Sequence, residues 1–199
     1  MNLANKLTVL RLILIPFYVV FLMLDPVLIA SQQNIVFFSH IALTIFIVAS
    51  LTDTFDGKIA RKYNLVTDFG KFADPLADKI LVVSAMVCFV ALGRMPFWAV
   101  IIILAREFAI SGFRLVVAGK GVVLAASMIA KVKTGWQMVM CGFMTFNMAA
   151  LVAKQGWPEV VTTVYDILTQ ITMYVALALT IISMIDYFYK NRENFTTKK

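Results

Sequence analysis

The stretch SLTDTFDGKIARKYNLVTDFGKFADPLADKI, residues 50–80, holds five acidic and five basic residues in a chain that is otherwise very apolar. The whole chain of 199 residues is 61% hydrophobic and only 15% charged. This balance lies outside the range of ordinary globular domains and is typical of a protein dissolved in lipid. The charged stretch is therefore the part of the sequence that most needs a chemical explanation.

Apolar runs on both sides of this stretch approach or exceed the 18 to 20 residues, roughly, that cross a bilayer core. They predict six membrane spans, at about residues 7–24, 35–56, 73–92, 97–117, 134–152 and 161–189. No small-x-small cleavage site follows the first run, so we expect it to remain as the first helix. The sequence predicts an all-α integral membrane protein, a bundle of six transmembrane helices that forms a single domain over residues 1–199.

The distribution of basic residues predicts the orientation of this bundle. With the N-terminus in the cytoplasm, all 18 lysines and arginines except Arg94 and Lys154 fall on the cytoplasmic side. The positive-inside rule then places both termini in the cytoplasm. The net charge of +7 is explained by basic flanks that face anionic lipid heads, so no nucleic-acid partner is expected.

The acidic residues of the charged stretch recur at helical spacing. A first group falls on one broad face at the end of the second span: Asp53, Asp56, Gly57, Ala60 and Arg61. A second group, Gly70, Asp74 and Asp78, recurs every four residues at the start of the third span, with Pro75 in its first turns. Two acidic stripes are thus expected to face each other across a short turn.

Carboxylates that converge near a membrane repel one another unless something compensates their charge. An interfacial network of ion pairs with the nearby Lys and Arg residues is one explanation. A divalent cation site is the sharper one, because hard oxygen ligands suit magnesium, manganese or calcium. Arg61 is placed to hold phosphate, whereas His40, Cys88 and Cys141 are expected to be structural.

The pattern D53-x-x-D56-G57-x-x-A60-R61, eight residues, then G70-x-x-x-D74-x-x-x-D78 resembles the signature of the CDP-alcohol phosphotransferases. The resemblance implies a membrane enzyme of six helices, usually a homodimer, that transfers a phosphatidyl group from CDP-diacylglycerol to an alcohol and releases CMP. It also implies two divalent ions, Mg²⁺ or Mn²⁺. On this resemblance Asp53, Asp56, Asp74 and Asp78 hold the metals, and Asp78 is also the general base.

The same resemblance assigns Gly57, Ala60, Arg61 and Gly70 to the nucleotide and diphosphate site. Asn5, Thr8 and Arg11 at the cytoplasmic end of the first helix are further candidates for nucleotide contact. A helix-capping role for Asn5 and lipid-head contacts for Arg11 are equally compatible with the sequence.

Basic residues farther along the chain bear on the identity of the alcohol. REFAISGFRLV contains Arg106, Glu107 and Arg114, and KVKT supplies Lys131 and Lys133. Glu107 and Arg114 share a helix face, so an ion pair between them is expected. The remaining cations indicate an acceptor that carries its own phosphate, although lysines at these positions are also ordinary positive-inside flanks.

Four segments extend the resemblance over nearly the whole chain: NKLTVLRLILIPFY, DFGKFADPLADK, REFAISGFRLV and AKVKT. Together they are similar to the bacterial members of the family that use sn-glycerol 3-phosphate, the phosphatidylglycerophosphate synthases. This similarity implies a multi-pass protein of the bacterial cell membrane with a cytoplasmic active site. It makes Arg106, Arg114, Lys131 and Lys133 the candidates for binding the acceptor phosphate.

Three other functions are compatible with some of these features. A sibling enzyme would use inositol phosphate, serine or phosphatidylglycerol as acceptor. A cation transporter would use the aspartates as an ion site, and a structural subunit would use the charged stretch to dock a partner. The acids lie at helix ends rather than at the membrane midplane, which favours the enzyme over the transporter.

Overall fold

The computed structural model describes residues 3–29, 35–62, 68–118 and 127–192. Within these ranges the side chains of residues 3–6, 25–29, 35, 53–62, 68–75, 78 and 118 lie outside the described part. All regular secondary structure in these ranges is helical. The seven helices are α1 (Leu3–Ile29), α2 (Ile35–Lys62), α3 (Asp68–Ala91), α4 (Phe97–Ala118), α5 (Met128–Thr145), α6 (Met148–Gln155) and α7 (Val160–Lys190). The prediction of an all-α fold is confirmed for this part of the chain.

The described helices fall into two compact units. The first comprises Met1–Met95 and Cys141–Asp166. Within it α1 packs against α2 and α3, and α2 also contacts α3 and α6. The Tyr18 ring packs on Phe46 of α2 at a centroid distance of 5.6 Å, and the Tyr18 hydroxyl lies 2.8 Å from Thr145 Oγ1. The core of this unit therefore joins α1 to α2 and to the end of α5.

The second unit comprises Pro96–Met140 and Ile167–Lys199. Its helices are joined by side chains that reach between them. The Trp136 indole of α5 donates to the Thr172 carbonyl of α7 at 3.0 Å, and the Phe113 ring of α4 meets Tyr187 of α7 at 5.8 Å. This unit brings α4, α5 and α7 together.

In α1 and α7, polar residues are among the buried ones and large apolar residues are exposed. In α1 the buried residues Thr8, Arg11, Ile15, Tyr18 and Leu22 follow one stripe, while the exposed residues Leu10, Ile13, Phe17 and Val20 follow another. In α7 Thr180 and Ser183 are buried, whereas Ile181, Ile182 and Ile185 are exposed. Large exposed apolar faces and buried polar side chains are opposite to the pattern of water-soluble proteins and fit a lipid surrounding.

Three helical segments of the described residues are long and apolar enough to cross a membrane by length and composition: Leu7–Leu24, Met128–Gln155 and Val160–Lys190. Two shorter apolar segments are Val36–Thr52 and Lys79–Ala91. The chain is therefore a multi-pass membrane protein, and the count of six spans stays a prediction.

Three predicted boundaries differ from the structure. α1 continues through Pro26 to Ile29, into the region expected to be a connection. α3 begins at Asp68, so Pro75 lies two turns inside the helix, where its missing N–H cannot bond to the Lys71 carbonyl. The fifth predicted span is two helices, because the Asn147 side chain accepts a hydrogen bond from the Ala150 amide and begins α6.

Glycine residues lie in the connections that follow α3 and α6. Gly93 follows α3 with a φ of 68°, and Gly156 ends α6 with a φ of 67°. Both values lie in the left-handed region, which glycine adopts at no steric cost. Arg94 then donates to the carbonyls of Met144 at 2.7 Å and Thr145 at 3.4 Å, at the end of α5.

Candidate active site

The residues of the acidic motif lie on two helices that contact each other. Asp53, Asp56, Gly57, Ala60 and Arg61 are in α2, and Gly70, Asp74 and Asp78 are in α3. The predicted helical state of both halves of the motif is confirmed, so the helical spacing of the acids is real. Their side chains lie outside the described part, and the metal-ligand set stays a prediction.

The first helix brings two polar residues to the side of α2 that leads into this motif. Thr8 and Arg11 are both fully buried. Arg11 Nε donates to the Ala49 carbonyl at 3.2 Å, and Ala49 lies one turn before Asp53. The alternative that Arg11 contacts lipid heads is therefore wrong, because its guanidinium faces the protein interior. A capping role for Asn5 is wrong as well, since Asn5 lies inside α1; its side chain is outside the described residues.

Glu107 of α4 is the centre of a buried charged cluster in the second unit. Its Oε1 atom accepts hydrogen bonds from Arg106 Nη1 at 3.2 Å and from Lys133 Nζ of α5. Arg106 is 6% exposed and Lys133 only 1%. Two buried cations from two helices thus share one carboxylate oxygen.

The same cluster continues to α7. Arg106 Nη2 donates to Ser183 Oγ at 2.7 Å. One turn further along α7, the Tyr187 ring lies 5.5 Å from the Arg114 guanidinium carbon, in cation–π geometry. Arg106 and Arg114 of α4 thus contact successive turns of α7, and Lys133 shares Glu107 with Arg106. Their role in acceptor binding stays a prediction.

Several buried donors on α4, α5 and α7 have no hydrogen-bond partner among the described residues. They are Arg106 Nε, Arg114 Nε, Gln137 Nε2 and the Tyr187 hydroxyl. One acceptor, Asp186 Oδ2, is in the same situation. Buried polar groups are normally paired, and an excess of donors is satisfied by a ligand that carries acceptor atoms. The cluster can therefore hold an anion with several oxygens, such as phosphate.

Gln137, Ser183 and Tyr187 were missed by the sequence analysis because they are uncharged residues in apolar helices. A weak signal existed. Gln137 is four residues after Lys133, and Tyr187 is four residues after Ser183, so each pair shares a helix face. Only the convergence of α4, α5 and α7 shows that these faces meet.

Two predictions for the basic residues need correction. Lys131 is exposed and is not brought to the cluster, because residues two apart in a helix diverge by about 200°. The expected ion pair between Glu107 and Arg114 is wrong. Seven residues span two turns, or about 10 Å along the helix axis, and Glu107 instead bonds to Arg106 and Lys133.

His40, Cys88 and Cys141 were expected to be structural, and their described contacts agree with this expectation. His40 Nδ1 donates to the Val36 carbonyl of its own helix, and its ring packs against Phe146 at 5.3 Å. Cys88 and Cys141 are both free and buried.

A protein-family model described as CDP-alcohol phosphatidyltransferase matches residues 1–182. The chain belongs to this family. The match covers both helices of the acidic motif, α4, α5 and α7 as far as residue 182, and it confirms the prediction that the protein is an enzyme. The family is generally dependent on a divalent metal.

Curated bacterial relatives agree with this assignment. The CDP-diacylglycerol–glycerol-3-phosphate 3-phosphatidyltransferase of Bacillus subtilis is 40% identical, with 98% of each chain covered. The Rickettsia felis protein of the same name is 35% identical over 98% of this chain and 97% of its own. A probable phosphatidylglycerophosphate synthase of Mycobacterium tuberculosis is 36% identical over 94% of this chain and 79% of its own.

Proposed function

We propose that the protein transfers the phosphatidyl group of CDP-diacylglycerol to sn-glycerol 3-phosphate, with formation of phosphatidylglycerophosphate and CMP. The names of three relatives at 35–40% identity support this reaction. The observation that carries it is the cluster of Arg106, Arg114 and Lys133, in which Arg106 and Lys133 are buried and the Nε atoms of both arginines are buried donors without a described partner. Such a cluster needs an acceptor that brings its own anionic oxygens, and a neutral alcohol does not.

In this proposal the phosphate of glycerol 3-phosphate is bound by Arg106, Arg114 and Lys133. Guanidinium groups bind phosphate through two parallel hydrogen bonds, and a lysine adds a point charge. Gln137 and Tyr187 add neutral donors from α5 and α7. Lys131 is left outside this set because it is exposed.

In this proposal the acidic motif binds the donor substrate, CDP-diacylglycerol. Asp53, Asp56, Asp74 and Asp78 would hold the divalent ions, since carboxylates on two contacting helices offer the hard oxygen ligands that Mg²⁺ and Mn²⁺ prefer. When bound, two metal ions neutralise the diphosphate and stabilise the departing phosphate of CMP. Arg61, Gly57, Ala60 and Gly70 would line the nucleotide and diphosphate, with Asn5, Thr8 and Arg11 contributing from α1.

The reaction is a direct displacement at the lipid-side phosphorus. The C1 hydroxyl oxygen of glycerol 3-phosphate forms the new P–O bond, and the bond from that phosphorus to the CMP oxygen breaks. Asp78 accepts the hydroxyl proton as general base. Charge and atoms balance with CMP as the leaving group, and no covalent enzyme intermediate is needed.

The proposed setting is the bacterial cell membrane, with six spans, both termini in the cytoplasm and the active site on that side. The basic residues of the sequence support this orientation. The family resemblance also implies a homodimer. Single cysteines introduced at residues 3 and 191, in a protein without Cys88 and Cys141, should react with a membrane-impermeant maleimide only after the cytoplasmic side is opened.

The decisive experiment is CMP release by the detergent-purified protein, given CDP-diacylglycerol with Mg²⁺ or Mn²⁺. Release should require sn-glycerol 3-phosphate and should be lost in Asp78→Asn. Inositol phosphate, serine and phosphatidylglycerol are tested in parallel. Release with one of these alone would keep the family and refute the proposed acceptor.

A further inference from the structure

Glu107 is an acidic residue within a site proposed to bind an anion. Its side chain is 20% exposed, while the two cations that it contacts are almost completely buried. One oxygen, Oε1, accepts from Arg106 Nη1 on its own helix and from Lys133 Nζ on α5. A carboxylate at this position repels phosphate, so its presence needs a separate explanation.

The first part of that explanation is geometric. Lysine has a flexible four-carbon stem, and its ammonium group goes where its hydrogen bonds direct it. Arg106 and Lys133 carry like charges that repel each other in a buried environment. Their common acceptor, Glu107 Oε1, offsets this repulsion and fixes both groups before any ligand binds.

The second part is the balance of charge. Three cationic side chains, Arg106, Arg114 and Lys133, stand against one carboxylate. The nearby Asp186 is balanced by Lys190, whose Nζ lies 2.7 Å from Asp186 Oδ1. Counted over the described side chains, the cluster thus has an excess of two positive charges, and a phosphate monoester carries close to two negative charges at neutral pH.

We propose that Glu107 is a positioning residue for the acceptor site: it holds Lys133 and Arg106 in the arrangement that binds a phosphate monoester dianion, without touching the acceptor itself. This inference rests on the proposed function, because it takes the cluster as the acceptor-phosphate site. It assigns to Glu107 a role in affinity for the acceptor and none in binding CDP-diacylglycerol.

A double-mutant cycle tests this role. Wild type, Glu107→Gln, Lys133→Met and the double variant are compared by kcat and by KM for each substrate. Each single substitution should raise KM for sn-glycerol 3-phosphate at least about tenfold, because a buried cation loses its place or is removed. KM for CDP-diacylglycerol should change less than about twofold, as expected for a residue that does not contact that substrate.

The double variant distinguishes positioning from independent effects. If Glu107 acts through Lys133 and Arg106, Glu107→Gln should raise the acceptor KM by a clearly smaller factor in the Lys133→Met background than in wild type, because only its effect on Arg106 remains. If the factors by which the two single substitutions raise the acceptor KM simply multiply in the double variant, the inference is overturned. An acceptor KM that is unchanged or lowered in Glu107→Gln would overturn it too.

Inorganic phosphate provides a second measurement that does not depend on which alcohol is used. Phosphate should raise the thermal midpoint of the purified wild type and raise that of Glu107→Gln much less. Equal shifts, or none in wild type, would contradict the role of Glu107. If wild type used only another alcohol, the proposed function would fail, while the phosphate shifts would still decide this inference.

A folding defect in Glu107→Gln would not end the test. Glu107→Asp keeps the charge and shortens the side chain by one methylene group, so it should show the same selective rise in acceptor KM. The double variant removes the buried charged pair together, which is better tolerated than loss of one partner. A stability loss in Glu107→Asp with both KM values unchanged would assign Glu107 a purely structural role and refute the proposal.

Discussion

Lys133 Nζ donates a hydrogen bond to Glu107 Oε1, 26 residues earlier in the chain, and both groups lie inside the second unit of the protein. Lys131, only two residues away on the same helix, is exposed. The two lysines are equivalent in the sequence pattern, but in the structure one is a buried candidate for function and the other is a surface residue. They also supply a matched pair of variants.

Lys133→Met should raise KM for sn-glycerol 3-phosphate at least about tenfold, because a hydrogen bond to a charged group contributes about 1.5–3 kcal/mol and 1.4 kcal/mol corresponds to a factor of ten. Lys131→Met should change KM less than about twofold, since exposed charges contribute little. Steady-state CMP release measures both. Equal effects of the two substitutions would show that the buried lysine has no special role.

Tyr187→Phe should raise the acceptor KM about two- to tenfold, which is the contribution of one neutral hydrogen bond. The ring that stacks with Arg114 is kept, and only the buried hydroxyl is removed. Tyr189→Phe is the control, because Tyr189 is 69% exposed. An unaltered KM in Tyr187→Phe would remove the hydroxyl from the proposed set of donors.

Asp78→Asn should lower kcat by a factor on the order of 10²–10⁴, the usual contribution of a general base, or by more if a metal ligand is lost as well. Membrane insertion and thermal stability should stay close to wild type. Asp166→Asn, at an exposed acid of α7, is the control for loss of a carboxylate. Substantial residual transfer by Asp78→Asn would assign the base to another residue.

Removal of divalent metal by a chelator should reduce CMP release to background, and Mg²⁺ or Mn²⁺ should restore it. Asp56→Ala should need a higher metal concentration for half-maximal rate, because one carboxylate ligand is missing. A titration of activity against free metal measures this shift. Full activity in the chelated wild type would contradict the metal-assisted mechanism.

Tyr18→Phe should lower the free energy of unfolding by about 1 kcal/mol, the net contribution of one buried hydrogen bond. Thr145 Oγ1 donates to the Cys141 carbonyl at 2.7 Å, so it accepts from the Tyr18 hydroxyl. Denaturation in mixed micelles measures the difference. Tyr174→Phe, at a ring that is 54% exposed, should have no comparable effect.

The sequence by itself determined much of the local structure. The helices that carry Asp53 to Arg61 and Gly70 to Asp78 were predicted correctly, because helical periodicity and apolar length are properties of neighbouring residues. Arg106, Arg114, Lys131 and Lys133 were predicted as one group, because residue type indicates the ligand chemistry, and the structure leaves Lys131 exposed. The helix boundary at Asn147 was missed, since its position depends on a single capping hydrogen bond.

Only the tertiary structure decided which polar groups converge. Glu107 could pair with Arg114 or with Lys133 as far as sequence shows, and the packing of α5 against α4 selects Lys133. Ser183 joins the cluster through a contact with Arg106, 77 residues away in the chain. Such contacts depend on how helices pack, and the free energy of helix packing comes from side chains that are distant in sequence, so no local pattern specifies them.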